Sequence, residues 1–300
     1  MNGQPPHSAP IDVTETLLRG WPLPLPQPDG DKEQRGRVLV VAGSREMPGA
    51  VLLAATAVLR AGAGKLAVAT AASNAAGVAL ALHEARVIAL PESPGGGLAV
   101  DGLGLIEDTL HRADAVLVGP GMLDEDETAR LVQAMLPHCA EAVVVLDAYA
   151  MSAVRLLGGF ERPVLLTPHA GEMAHLAGDS KESVAAGAAR QARAASARWN
   201  AVVALKGATT HIAEPGGTTW RHDGGHSGLG TSGSGDVLAG IVTGLAARGA
   251  PLAQAAVWGV ALHARAGRRL GASCGPLGYL ARELAAEVPG LMQSLRAGDA

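Results

Sequence analysis

Seven short apolar runs recur between Gly36 and Leu205: Val38–Val41, Leu66–Ala69, Val87–Leu90, Ala115–Gly119, Ala142–Leu146, Val164–Leu166 and Val202–Leu205. Alanine-rich stretches separate most of them. A run that is apolar throughout, rather than at every second residue, belongs to a strand buried on both faces, and such strands alternating with helices build a parallel sheet. The expected architecture is therefore α/β: a central, mostly parallel sheet with helices on both faces, in a single domain. Beyond Leu205 the pattern changes to a hairpin (Thr210–Ala213, then Thr218–Trp220), a glycine-rich loop, and helices over 235–248, 251–270 and 278–297. Residues 1–35 read as a proline-rich N-terminal arm, with a short helix around Ile11–Arg19 started by Asp12 or Thr14. Extended polyproline geometry is expected over Trp21–Pro28. The arm is expected to pack on the α/β domain of residues 36–300, which shows no internal repeat.

Composition narrows the functional classes. Forty of 300 residues are glycine, against an average near 7%. Only four Trp, two Tyr and one Phe are present, so the core is built from Ala, Val and Leu. A net charge of 24 − 28 = −4 gives no basic surface for nucleic acid, and few aromatics are available to stack bases. Leu66–Leu82 is too rich in Ala and Gly, and too short, to read as a membrane span. No signal peptide is apparent. Cys139 and Cys274 make no disulfide framework, and a reducing cytoplasm is the simplest expectation.

The densest signal is Gly224–Gly240, in which seven of 17 residues are glycine and the loop enters an apolar-patterned helix. Free backbone N–H groups and the helix dipole at such a junction bind anions, and phosphate is the natural guest. Asp236 lies in the first helical turn, placed to accept a proton from a hydroxyl while the N–H groups hold phosphate charge. The plainer role for Ser234 or Asp236 is a helix cap. The loop is no Walker motif, and the turn at 41–50 does not match G-x-G-x-x-G. Four further segments end apolar strands, where α/β sheets place ligands. Lys206 and Thr209 or Thr210 suit a phosphate, although a lysine at a strand end is as readily a surface charge. His169 suits a substrate contact, and Glu172 either orients a metal or water or caps the next helix. Gly119 and Gly121 form a turn. Asp147 is open between a ligand, a magnesium–water contact and a cap. His83, His211 and His226 show no metal-ligand spacing, and no G-x-S-x-G elbow is present.

Taken in order, V-L-V-V-A-G-S-R-E-M-P-G-A (38–50), R-A-G-A-G (60–64), V-G-P-G-M (118–122), V-L-D-A (145–148), T-P-H-A-G-E-M (167–173), L-K-G-A-T-T (205–210) and T-S-G-S-G-D-V-L-A-G (231–240) resemble the ADP-dependent NAD(P)H-hydrate dehydratases. The resemblance implies a ribokinase-like fold and a cofactor-repair reaction: the S epimer of hydrated NADH or NADPH is returned to NAD(P)H while ADP gives AMP and phosphate. It implies Mg²⁺, with Glu172 as a ligand through water. Lys206, Gly207, Ala208, Thr209, Thr210, Gly233, Ser234 and Gly235 would form the nucleotide site. Ala50, Gly121, His169 and Asp236 would meet the hydrated substrate, with Asp236 the catalytic base. A homo-oligomer, a tetramer, and an epimerase on a separate protein are implied as well. Relatives usually carry Asp at the position of Tyr149, Pro at Ala170, Asn at His226 and Gly-Gly at Ser232-Gly233. Two other readings compete: an ATP-dependent hydroxymethylpyrimidine or thiazole kinase of the same superfamily, and a non-catalytic nucleotide-binding protein.

Overall fold

A computed structural model describes residues 9–25, 31–139 and 141–296. Each of the seven apolar runs is a strand. The ten strands are β1 (Ile11–Asp12), β2 (Arg37–Val41), β3 (Lys65–Ala71), β4 (Ala85–Leu90), β5 (Ala115–Val118), β6 (Val143–Leu146), β7 (Val164–Leu166), β8 (Ala201–Leu205), β9 (Thr210–Ala213) and β10 (Thr219–His222). They form one sheet in the order β1-β10-β9-β8-β7-β6-β5-β2-β3-β4. From β8 to β4 every pairing is parallel; β9 and β10 add antiparallel, the expected hairpin, and β1 joins the edge parallel to β10.

Alternation along each strand feeds two cores. Val38 and Val40 face the helices Pro48–Arg60, Ser234–Ala247, Leu252–Cys274 and Ala281–Ser294. Leu39 and Val41 face the other layer, with Leu131, Met135, Met173 and Trp199. Both faces are buried across the sheet centre, so those strands need no polar alternation, while β4 at the edge is partly exposed. The aromatic shortage is met by small residues: the two helices nearest the sheet centre, Pro48–Arg60 and Ser234–Ala247, pack closely at Gly240 and Gly244. A Cβ at Gly240 would lie 2.2 Å from the Ala54 carbonyl oxygen, and one at Gly244 2.4 Å from that of Val58.

Strand order reverses between β2 and β5. The chain winds outward from β2 to β3 and β4, then returns to lay β5, β6, β7 and β8 on the other side. The loops leaving β2 and β5 therefore diverge at the carboxyl edge and open a crevice, which is where α/β sheets bind ligands. Across it the Gly43 N–H donates to the Pro120 carbonyl at 2.7 Å.

In the N-terminal segment, the helix Glu15–Gly20 is capped by Thr14, whose Oγ1 accepts the Leu17 N–H at 3.1 Å. Asp12, the other expected cap, is instead in β1. The Trp21 ring stacks on Trp220 at 5.9 Å, and its carbonyl accepts from Trp258 Nε1 at 2.8 Å. Residues 26–28 of the proline-rich run lie outside the described residues.

Candidate active site

Three adjacent parallel strands deliver the charged groups. Asp147 follows β6, Thr167 and His169 follow β7, and Lys206 follows β8. The Lys206 N–H donates to the Pro168 carbonyl at 2.8 Å, and His169 pairs with Lys206 as a parallel bridge, so the two loops are held in register. Asp147 is 3% exposed. Its Oδ1 accepts the Thr167 hydroxyl at 2.6 Å and lies 3.4 Å from Lys206 Nζ. Glu172 Oε2 is 3.9 Å from the same ammonium. Burial pushes the Lys206 pKa down, but Asp147 and Glu172, with Asp236 behind them, push it up by more, and the lysine stays charged.

Asp236 completes this cluster from the first turn of the helix Ser234–Ala247. Its carboxyl is raised to about 7, first by burial and then by the field of Asp147; Lys206 opposes the rise and Glu172 adds to it. Three carboxylates against one ammonium leave surplus negative charge. Hard carboxylate oxygens in that number suit Mg²⁺, which neutralises such a surplus.

The helix start itself is built by Gly233, at φ +84. A Cβ there would sit 2.3 Å from Leu53 Cδ1, besides the left-handed backbone that disfavours one. Ser234, expected from sequence as a nucleotide contact, is anchored at the cleft: its hydroxyl meets His263 Nε2 at 3.0 Å, and its N–H donates to the Thr231 carbonyl at 3.2 Å. Burial holds His263 down to about 4, hence neutral.

A cleft of about 610 Å³ lies beside the cluster, lined among others by His169, Lys206, Gly207, Ala208, Thr210, Ser234 and Gly235. It gathers seven of the sequence-read residues. Thr209 does not line it; its hydroxyl donates to Asp223 Oδ1 at 2.7 Å. Ala50 and Gly121 form a separate wall at the switch-point crevice. Gly121 has φ +65, and a Cβ there would come within 2.5 Å of the Ala50 methyl. His169 Nδ1 accepts the N–H groups of Gly171 and Glu172 at 3.0 and 3.1 Å, while Glu172 Oε2 accepts the His169 N–H at 2.8 Å. Both residues thus serve as a reciprocal helix cap, and the far imidazole nitrogen, His169 Nε2, lies 3.6 Å from Glu172 Oε1.

Departures from the family pattern keep their local jobs. His226 Nδ1 accepts the Gly228 N–H at 3.2 Å, the capping bond an Asn carbonyl oxygen also makes. Ala170 opens its helix at the position where Pro is merely preferred. Tyr149 is 44% exposed. Three residues gain their partners only from the fold. Asp147 was left open among three roles, although a carboxylate ending a fully apolar strand is itself a signal. Thr167 and His263 carry no local signal; only the fold brings them in.

Likeness to solved structures gives the class first. A ribokinase-like superfamily protein from Enterococcus faecalis superposes with a TM-score of 0.83, covering 99% of this chain and 100% of that one at 23% identity. The chain thus has the ribokinase-like fold. The ADP/ATP-dependent NAD(P)H-hydrate dehydratase of Bacillus subtilis, co-crystallized with ATP/Mg²⁺, gives a TM-score of 0.81 at 28% identity over 96% of this chain and 99% of that one. In sequence, the ADP-dependent (S)-NAD(P)H-hydrate dehydratase of Xanthomonas campestris is 51% identical over 286 residues, 95% of this chain and 97% of that protein. The NAD(P)H-hydrate dehydratase family model matches residues 38–290. The chain belongs to the NAD(P)H-hydrate dehydratase family, which sets aside the small-molecule kinase and non-catalytic readings.

Proposed function

We propose that this chain restores NAD(P)H from its S-configured 6-hydroxy hydrate, using ADP as phosphoryl donor and releasing AMP and phosphate. The observation that carries the mechanism is the Asp236 carboxyl, raised to about 7 at the mouth of a helix that points its N-terminus into the cleft. A base in that range takes the hydroxyl proton at neutral pH without holding it too tightly. In this reading the AMP part lies along Lys206–Thr210 and Gly235, and the hydrated ring lies between Ala50, Gly121, His169 and Asp236. The ring hydroxyl loses its proton to Asp236 as its oxygen attacks the terminal phosphorus of ADP, and the bond to the AMP oxygen breaks. Loss of the new phosphate together with a proton from the neighbouring ring carbon regenerates the double bond. Lys206 and the backbone N–H groups of the glycine loop hold the phosphoryl charge while it moves.

Asp147 and Glu172 would hold Mg²⁺, Glu172 through water; the ion supplies charge neutralisation on the phosphates. Because only one epimer is competent, a separate epimerase supplies it from the other. A homo-oligomeric, tetrameric state and a cytoplasmic location accompany this reading. Among the described residues no helix is long and apolar enough to cross a membrane. Incubation of purified protein with hydrated NADH and ADP tests the proposal: Asp236→Asn is expected to bind ADP as the unsubstituted protein does and to lose turnover by about 10³-fold or more, the scale of a lost general base together with its electrostatic partner role. Near-normal turnover in that variant overturns the assignment of the base.

A further inference from the structure

We propose a second metal site, built by Glu107, His111 and His138 at the edge of the sheet opposite the active site. Glu107 and His111 stand one turn apart on the helix Glu107–His111, and His138 comes from the short 3-10 helix Leu136–Cys139 packed beside it. The three donor atoms form a compact triangle. Glu107 Oε1 lies 3.3 Å from His138 Nδ1 and 3.8 Å from His111 Nε2, and the two ring nitrogens are 3.4 Å apart.

Those edges are closer to tetrahedral than to octahedral spacing. Ligands about 2.05 Å from a tetrahedral ion lie about 3.3 Å from one another, whereas cis ligands of an octahedral or square-planar ion lie about 2.9 Å apart. Two edges of the triangle, 3.3 and 3.4 Å, match a tetrahedral face, and the third, 3.8 Å, closes to it by a small rotation of the exposed His111 ring. Two imidazoles and one carboxylate are a borderline donor set that suits Zn²⁺, with water in the fourth position. Cys139, the next residue along, is not part of the set: its Sγ donates to the Met135 carbonyl at 3.4 Å, and burial pushes its thiol up to about 11.

The placement keeps the ion away from the catalytic cluster. The helix Glu107–His111 leads into β5 and the 3-10 helix leads toward β6, so the ion clasps the amino ends of two neighbouring central strands. The catalytic cluster follows the carboxyl ends of β6, β7 and β8, and four residues of strand separate the two edges by about 13 Å.

Metal-free protein titrated with Zn²⁺ by calorimetry, and with Co²⁺ by visible absorption, tests the site. One equivalent of Zn²⁺, an intense tetrahedral Co²⁺ band and a raised Tm are expected. Binding at least tenfold weaker, with no change in Tm on adding Zn²⁺, is expected for both His138→Ala and Glu107→Gln, whereas His169→Ala keeps all three signals. Dehydration of the hydrate by His138→Ala stays at the unsubstituted rate. Absence of stoichiometric binding, equal binding by both variants, or a weak octahedral Co²⁺ spectrum overturns the proposal.

Discussion

Asp236 keeps its proton up to about pH 7 in the folded protein, while an unperturbed aspartate releases it near 3.8. Burial is the first cause and the Asp147 charge the second. Between those two values the folded state holds more protons than the unfolded one, so stability falls as pH rises, and the full cost is present above 7. That difference corresponds to up to about 4 kcal/mol. Asp236→Asn is accordingly expected to be the more stable protein at pH 8, with the gain shrinking toward pH 4; urea unfolding at several pH values measures it, and an unchanged or lower stability at pH 8 contradicts the shift. The same carboxyl sets catalysis. The kcat/KM of the unsubstituted enzyme is expected to rise with pH through about 7 as the base ionises. Asp147→Asn removes a neighbouring negative charge and is expected to move that limb to lower pH; a pH–rate profile that stays in place refutes the coupling. Asp236, His169, Lys206 and Glu172 are legible in the sequence as candidates because each ends or follows a recognisable local element. It could not assign Asp147 its partners, since Thr167 and Lys206 are 20 and 59 residues away.

Helix starts do the positioning at the next scale. The helices Pro48–Arg60 and Ser234–Ala247 pack side by side, and Gly240 and Gly244 let their backbones approach. Their first turns thereby bring Ala50 and Gly233 to neighbouring walls of the site. Gly240→Val pushes a branched side chain into the Ala54 carbonyl. A loss of about 3 kcal/mol or more is expected, as for overpacked cores, measured as a lower urea midpoint at unchanged slope; a loss below about 0.5 kcal/mol would show that the helices part easily. The glycine excess thus has two sources. Gly43, Gly119, Gly121 and Gly233 sit in loops and turns and adopt positive φ, which favours glycine. Gly49 meets nothing within 4 Å of a notional Cβ, and Gly207 meets only its own turn at Thr209. Gly240 and Gly244, whose role is packing, were invisible because their partners lie some 186 residues back along the chain.

For the molecule as a whole, the seven parallel strands were legible because each is a short, wholly apolar run bounded by glycine or polar residues. The order of strands was not, because register across a sheet depends on long-range pairing. The edge strand Ile11–Asp12 was missed for a simpler reason: two residues paired to Trp220 and Arg221 leave no periodic trace. A pre-formed nucleotide cleft beside Lys206 is expected to show as ligand linkage. ADP at a hundredfold its Kd adds about 2.7 kcal/mol and raises Tm, and Lys206→Ala is expected to need much more ADP for the same rise. Equal shifts in both proteins place ADP elsewhere. The most direct test of the central claim is a product balance. Hydrated NADH of S configuration, ADP and Mg²⁺ are incubated with the protein, and NADH, AMP and phosphate are quantified together. One NADH, one AMP and one phosphate per turnover is the expected result. NADH formed without AMP, or turnover confined to ATP with a phosphorylated alcohol as product, would contradict it.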